Sequence, residues 1–125
     1  MNTLRMVFTI AIFCITLNTF SRDGQEIFTS ERLWQMDRVG APDVSPDGTR
    51  AVFPVTRFDI DANTPSTDLY IIDIETGATR QFTFTGKESA PVWSPNGEKI
   101  AFISRRHDGP AQIYVINASG GEAEK

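Results

Sequence analysis

Two stretches of this chain carry the same alternation of apolar and polar positions. Arg50-Ala51-Val52-Phe53 is followed by Leu69-Tyr70-Ile71-Ile72-Asp73, and Lys99-Ile100-Ala101-Phe102 by Ile113-Tyr114-Val115-Ile116-Asn117. Short runs rich in β-branched and aromatic residues, bounded by turn formers, read as strands. Strands are therefore predicted over residues 50–56, 68–74, 79–84, 99–104 and 112–117. These strands are apolar on both faces: Leu69 and Ile71 oppose Tyr70, Ile72 and Ile74, while Ile100 and Phe102 oppose Ala101 and Ile103. A sheet with one wet face alternates cleanly between apolar and polar, so these strands need cover on both sides. Pro54 cannot donate to a ladder and marks a bulge or an exposed edge.

The turns repeat as well. Ala41-Pro42-Asp43-Val44-Ser45-Pro46-Asp47-Gly48 answers Ala90-Pro91-Val92-Trp93-Ser94-Pro95-Asn96-Gly97, so the period is 49, from residue 41 to residue 90. Proline presets φ at the first central position of each turn, and glycine takes the positive φ that closes it. A period of 40 to 50 residues made of short strands and tight turns marks a β-propeller blade. The expected fold is all-β, an incomplete propeller of about two four-stranded antiparallel blades. Blade 1 covers residues 41–89 and blade 2 residues 90–125. The second copy breaks off before its last strand, which would begin at about Glu122. The chain is therefore expected to be part of something larger, and its isolated form to aggregate through uncovered faces and edges.

Residues 22–40 read as a leader and a short helix from Glu31 to about Arg38, capped by Ser30 and stopped by Gly40. Leu33, Met36 and Val39 recur at three-residue spacing, so the helix is expected to pack on the first blade, with Trp34 and Met36 as packing residues. Residues 1–21 have the organisation of a secretory signal peptide: Arg5, an apolar run over 6–17, then small and polar residues to Ser21. That run is short for a bilayer span. A periplasmic or secreted product, with no stable membrane span after cleavage at Ser21, is expected; an uncleaved anchor is the alternative. Phe13 is bulky where an acylated Cys14 would want a small neighbour.

Composition narrows the chemistry. With 40% apolar and 22% charged residues the chain is globular in character, and a net charge of −4 argues against a nucleic-acid partner. Cys14 is the one cysteine, which excludes an internal disulfide or a thiolate metal site. The sequence holds no G-x-S-x-G nucleophile elbow. The one histidine, His107, lies in the polar stretch Arg105-Arg106-His107-Asp108-Gly109-Pro110 and reads, with Arg105 and Arg106, as solvated loop. Asp59, Asp61 and Asn63 have the spacing that opens a calcium loop, but Thr64 stands where the glycine belongs and Tyr70 where the last acid belongs. An elongated inter-strand loop is the expectation there. Asn117-Ala118-Ser119 is a glycosylation triplet that matters only in a eukaryotic secretory pathway. No catalytic, cofactor-binding or metal-binding residue is assigned, and no cofactor is expected.

The Ser-Pro-Asp/Asn-Gly turns with their flanking strands, and Gln112-Ile113-Tyr114-Val115-Ile116-Asn117 with Gly120-Gly121-Glu122, resemble the TolB-type propeller repeat. The lead-in from Glu31 to Pro42, behind a signal peptide, resembles the start of secreted prolyl oligopeptidase family serine peptidases, in their acylaminoacyl-peptidase and dipeptidyl-peptidase branches. The likeness covers residues 29–125. It implies a propeller that gates and docks peptide substrates for a C-terminal α/β-hydrolase domain, which holds the catalytic triad and is absent from this chain. Whether the chain itself counts as enzymatic stays open. The alternative is a non-enzymatic TolB-like periplasmic propeller that binds protein partners.

Overall fold

The computed structural model describes residues 28–125. The expected signal peptide and Cys14 lie outside the described residues. The elements run α1 (Ser30–Gln35), β1 (Arg38–Val39), β2 (Asp43–Val44), β3 (Arg50–Asp59), β4 (Thr64–Asp73), β5 (Thr79–Gln81), β6 (Glu88–Trp93), β7 (Lys99–Ser104), a 3₁₀ turn (Arg106–Asp108) and β8 (Gln112–Asn117). They form two antiparallel sheets: β1-β3-β4-β5, with β2 also on β3, and β6-β7-β8. Each sheet is an up-and-down meander, as a blade requires. Glu124 adds the beginning of a fourth strand to the second sheet, exchanging two 2.8 Å hydrogen bonds with Val115.

The two Ser-Pro-x-Gly turns are built alike. Gly48 N–H donates to Ser45 O at 2.8 Å and Gly97 N–H to Ser94 O at 2.9 Å, with φ of 73° and 70° at the glycines. The serine hydroxyl donates to the side chain two residues on, Asp47 at 2.6 Å or Asn96 at 2.7 Å, and accepts the N–H five residues on, Arg50 at 3.0 Å or Lys99 at 2.9 Å. Asp47 differs from Asn96 in charge. The Ser45 hydroxyl, then the backbone and hydroxyl donors of Thr49, hold its carboxyl down at about 2. A depressed carboxylate contributes its stability above its unfolded value and loses it as pH falls through the folded one. The variant Asp47→Asn should therefore be less stable than the parent above about pH 4, with the difference gone below about pH 2. Urea midpoints measured across that range check this; a constant difference would show that the charge plays no part.

Pro54 sits inside β3, paired in register with Leu69. Its missing N–H falls where the inner strand is interrupted, because β1 pairs with residues 55–56 and β2 with residues 51–52. Gly40 crosses this gap, donating to Pro54 O at 2.8 Å, and a Cβ there would lie 2.6 Å from Pro54 Cγ. Close approach, rather than stopping a helix, is what requires glycine at this position. Blade 2 has its irregularity at the matching place, a register shift between Ser89 and Val92 with Ala90 at φ 49°.

Three expected boundaries move. The helix is capped by Thr29, whose hydroxyl accepts the Arg32 N–H at 3.3 Å, and it ends at Gln35 because residues 38–39 pair with β3 instead. It buries none of its residues; Trp34 reaches across, its ring 5.1 Å from that of Phe58, while Leu33, Met36 and Val39 stay exposed. The expected elongated loop after β3 is a two-stranded ribbon, since pairing runs without a break out to Asp59 and Thr64. Thr56 and Thr67 bridge its base, with hydroxyls 2.8 Å apart. β5 stops at Gln81 because the next two amides, Phe82 and Thr83, both turn to Leu69 O while Thr83 Oγ1 takes the Leu69 N–H at 2.9 Å. That turn swings Phe82 into the core.

The core lies between the sheets. Val52, Leu69, Ile71 and Phe82 of the first meet Trp93, Ile100, Phe102, Tyr114 and Ile116 of the second. Asp43 fastens the inner strands across this seam, accepting the Trp93 N–H at 2.7 Å on its carboxylate and the indole N–H at 3.1 Å on its carbonyl. Arg50 lies 4.9 Å over the same indole.

Candidate functional site

The polar residues that do more than solvate gather at one end of the sheets, where β6 starts, β7 ends and the β3–β4 ribbon projects. The crossing from blade 1 to blade 2, residues 85–88, is pinned there. Gly86 N–H donates to the Asp68 carboxylate at 2.8 Å, and a Cβ on Gly86 would meet Ser66 Oγ at 2.5 Å. Thr67 N–H donates to Gly86 O at 2.9 Å.

Glu88 is the centre of this end. Its side chain is 0% exposed and pairs with Arg106 Nη2 at 3.1 Å. It also accepts the Thr85 hydroxyl, the Lys87 N–H at 3.1 Å and the Ser104 hydroxyl at 3.4 Å. Buried charges persist only when paired and hydrogen-bonded, and Glu88 meets both conditions. Arg106 is 15% exposed and stacks 5.2 Å from the Phe102 ring centre and 5.0 Å from that of Tyr114. Asp68, also buried, accepts from Gly86 and from Gln81 Nε2 at 3.2 Å. Burial first, and the nearby Glu88 carboxylate next among the effects that raise it, push its carboxyl above the usual range.

Above this cluster, Lys87, Arg105, Asp108, Gly109 and Pro65 line an opening of about 480 Å³. Lys87 Nζ and Asp108 Oδ1 meet at 2.5 Å, and that hydrogen bond and charge lower the Asp108 carboxyl. The arrangement can present a mixed-charge surface to a polar ligand.

The sequence expectations distribute unevenly over this geometry. His107 is exposed, at φ 60° in the 3₁₀ turn, and Arg105 is exposed beside it. Arg106 departs from the expected solvated loop: neighbours from β7 and β8 and the buried carboxylate enclose it. Asp59 closes the ribbon tip by accepting the Ala62 N–H at 2.9 Å, and Asn63 takes φ 51°. The described residues hold no group of three or more His, Cys, Asp or Glu arranged to take a metal ion. Asn117 ends β8 on the surface while Ala118 is buried. The Glu88–Arg106 pair was missed: Glu88 stands among the polar residues Thr85, Lys87 and Ser89, and Arg106 lies 18 residues further on, so nothing local marked the two as partners.

Residues 25–125 match the TolB beta propeller domain, and the chain belongs to that family. Its relatives include an uncharacterized peptidase, YuxL, of Bacillus subtilis, 32% identical over 81% of this chain and 16% of the relative. Dipeptidyl-peptidase 5 of Porphyromonas gingivalis is 35% identical over 63% of this chain and 12% of its own length. Among solved structures, an acylaminoacyl peptidase in complex with Z-Gly-Gly-Phe-chloromethyl ketone superposes with a TM-score of 0.66, at 21% identity, over 78% of this chain and 15% of that one. That likeness concerns the fold. This chain thus spans well under a fifth of each of these peptidases.

Proposed function

We propose that this chain is the propeller part of an exported serine peptidase of the prolyl oligopeptidase family. In that reading the propeller gates and docks peptide substrates for an α/β-hydrolase domain that removes dipeptides or acylated residues from peptide N-termini. The observation that carries it is the 32% and 35% identity to proteins named as peptidases. Export is supported by the signal-peptide pattern of residues 1–21.

The test is the source gene's frame beyond the codon for Lys125, followed by expression of the whole frame. A G-x-S-x-G elbow with a later aspartate and histidine, and hydrolysis of dipeptidyl nitroanilides blocked by a serine-directed phosphonate, are the expected results. A frame that completes the blades and then stops would overturn the proposal. It would favour the second reading, a non-enzymatic TolB-like propeller that binds protein partners, for which the family match over residues 25–125 speaks.

A further inference from the structure

We propose that Asp68 and Glu88 form a carboxyl pair with one proton between them, so that the joint between the two sheets holds in acid and loosens when that proton leaves. The proposal rests on the seam inside the chain and is independent of the peptidase reading.

Backbone pairing brings the two acids together. Thr67 of β4 forms an isolated parallel bridge with Lys87, and the Thr67 N–H donates to Gly86 O at 2.9 Å. The residues that follow, Asp68 of the first sheet and Glu88 of the second, therefore lie side by side, with their carboxyls in hydrogen-bonding reach. They are 8% and 1% exposed, and the residues that bury them are those of the seam itself.

Charge does not balance if both are ionised. Arg106, from the 3₁₀ turn, pairs with Glu88 at 3.1 Å, and Ser104 of β7 donates to the same carboxylate. Arg57 of β3 also acts on Asp68, but it is exposed and paired with Asp37. Lys87 of the crossing pairs with Asp108, and His107 is exposed. From β4 and β5, Tyr70 donates to Gln81 and Gln81 donates to Asp68 Oδ2. One buried guanidinium thus serves two buried carboxyls, and a buried charge without a partner is costly enough that the group neutralises instead. A protonated Asp68 meets that condition: it donates its O–H to Glu88 while Oδ1 keeps the Gly86 N–H at 2.8 Å. Ionised, the pair sets like charges against each other where the chain crosses from one sheet to the next.

The direction of the pH effect follows. Burial first, and then the Glu88 carboxylate, hold the Asp68 proton more tightly in the folded chain than in the unfolded one, against the pull of the Gly86 N–H. The stability this contributes is complete below about pH 3.9, the ordinary aspartate value, and is lost as pH rises through the folded value. Asp47 acts in the opposite sense and in a lower window, below about pH 4.

The test uses the protein expressed from its whole frame. Infrared spectra across a pH series follow the protonated carboxyl stretch, and hydrogen exchange follows residues 85–88. The parent should show a carboxyl that titrates above the ordinary aspartate and glutamate values of about 3.9 and 4.3, and Asp68→Asn should lack it. Glu88→Gln removes the neighbouring charge and should lower that midpoint. Opening of the crossing, corrected for the intrinsic exchange rate, should rise at least about threefold through the parent's midpoint, where loss of one proton allows about tenfold per pH unit. In Asp68→Asn it should change by less than about twofold over the same range. A carboxyl that titrates in the ordinary range, one that survives in Asp68→Asn, a midpoint unmoved by Glu88→Gln, or equal opening in parent and Asp68→Asn would each overturn the proposal. If Asp68→Asn does not fold, a carbon-13 label in the aspartate carboxyls of the parent decides: a high-titrating band that the label fails to shift would overturn it, and a shifted one supports it.

Discussion

Replacing Arg106 by leucine should cost about 3–5 kcal/mol, the range for breaking a buried ion pair by removing one partner. The loss comes from what remains rather than from the attraction removed. Glu88, with its side chain 0% exposed, would keep only neutral donors: the hydroxyls of Thr85 and Ser104 and the Lys87 N–H. Leucine would also remove the planar group that covers the Phe102 and Tyr114 rings. The double variant Glu88→Gln with Arg106→Leu separates the two contributions. A neutral amide needs no counter-charge, so the double variant should be more stable than Arg106→Leu alone. Urea unfolding followed by tryptophan fluorescence, to which Trp34 and Trp93 both contribute, gives the comparison. A single-variant loss below about 1 kcal/mol, the range of exposed pairs, would mean that water reaches the carboxylate.

Phe102→Ala should cost a similar amount, about 3–5 kcal/mol, as for a large aromatic removed from a packed core. Phe102 is 1% exposed and lies at the middle of the seam. Its repeat counterpart is the control. Phe53 makes the same ring stack but is only half-buried, so Phe53→Ala should cost no more than about 1.5 kcal/mol of transfer free energy in dilute solution. Equal losses for the two variants would contradict the difference in burial between Phe53 and Phe102.

Much of this was legible in the sequence where the controlling forces are local. The Ser45–Gly48 and Ser94–Gly97 turns are settled by hydrogen bonds spanning two to five residues, so their conformation is written into adjacent side chains. The strands over 99–104 and 112–117 stand where their alternation places them. The boundaries that moved answer to distant partners. Residues 38–39 leave the helix because β3 offers their backbone a ladder, and the ribbon extends to Asp59 because Thr64–Thr67 lies opposite. The candidate site was the least legible part. Arg106 reads as one more charge in a polar loop until the fold brings Glu88, 18 residues earlier, beneath it.

The sequence by itself determined the repeat, the turns and the side of each strand that a residue occupies, because a period of two and a glycine with positive φ act over a few bonds. Only the tertiary structure decided which of two equally apolar faces is covered. Phe53 and Phe102 hold the same place in the repeat and each stacks on the tyrosine paired with it, Tyr70 or Tyr114, yet one is half-buried and the other buried. Burial belongs to the packing of sheet on sheet, and the hydrophobic term depends on area removed from water, which no single strand defines.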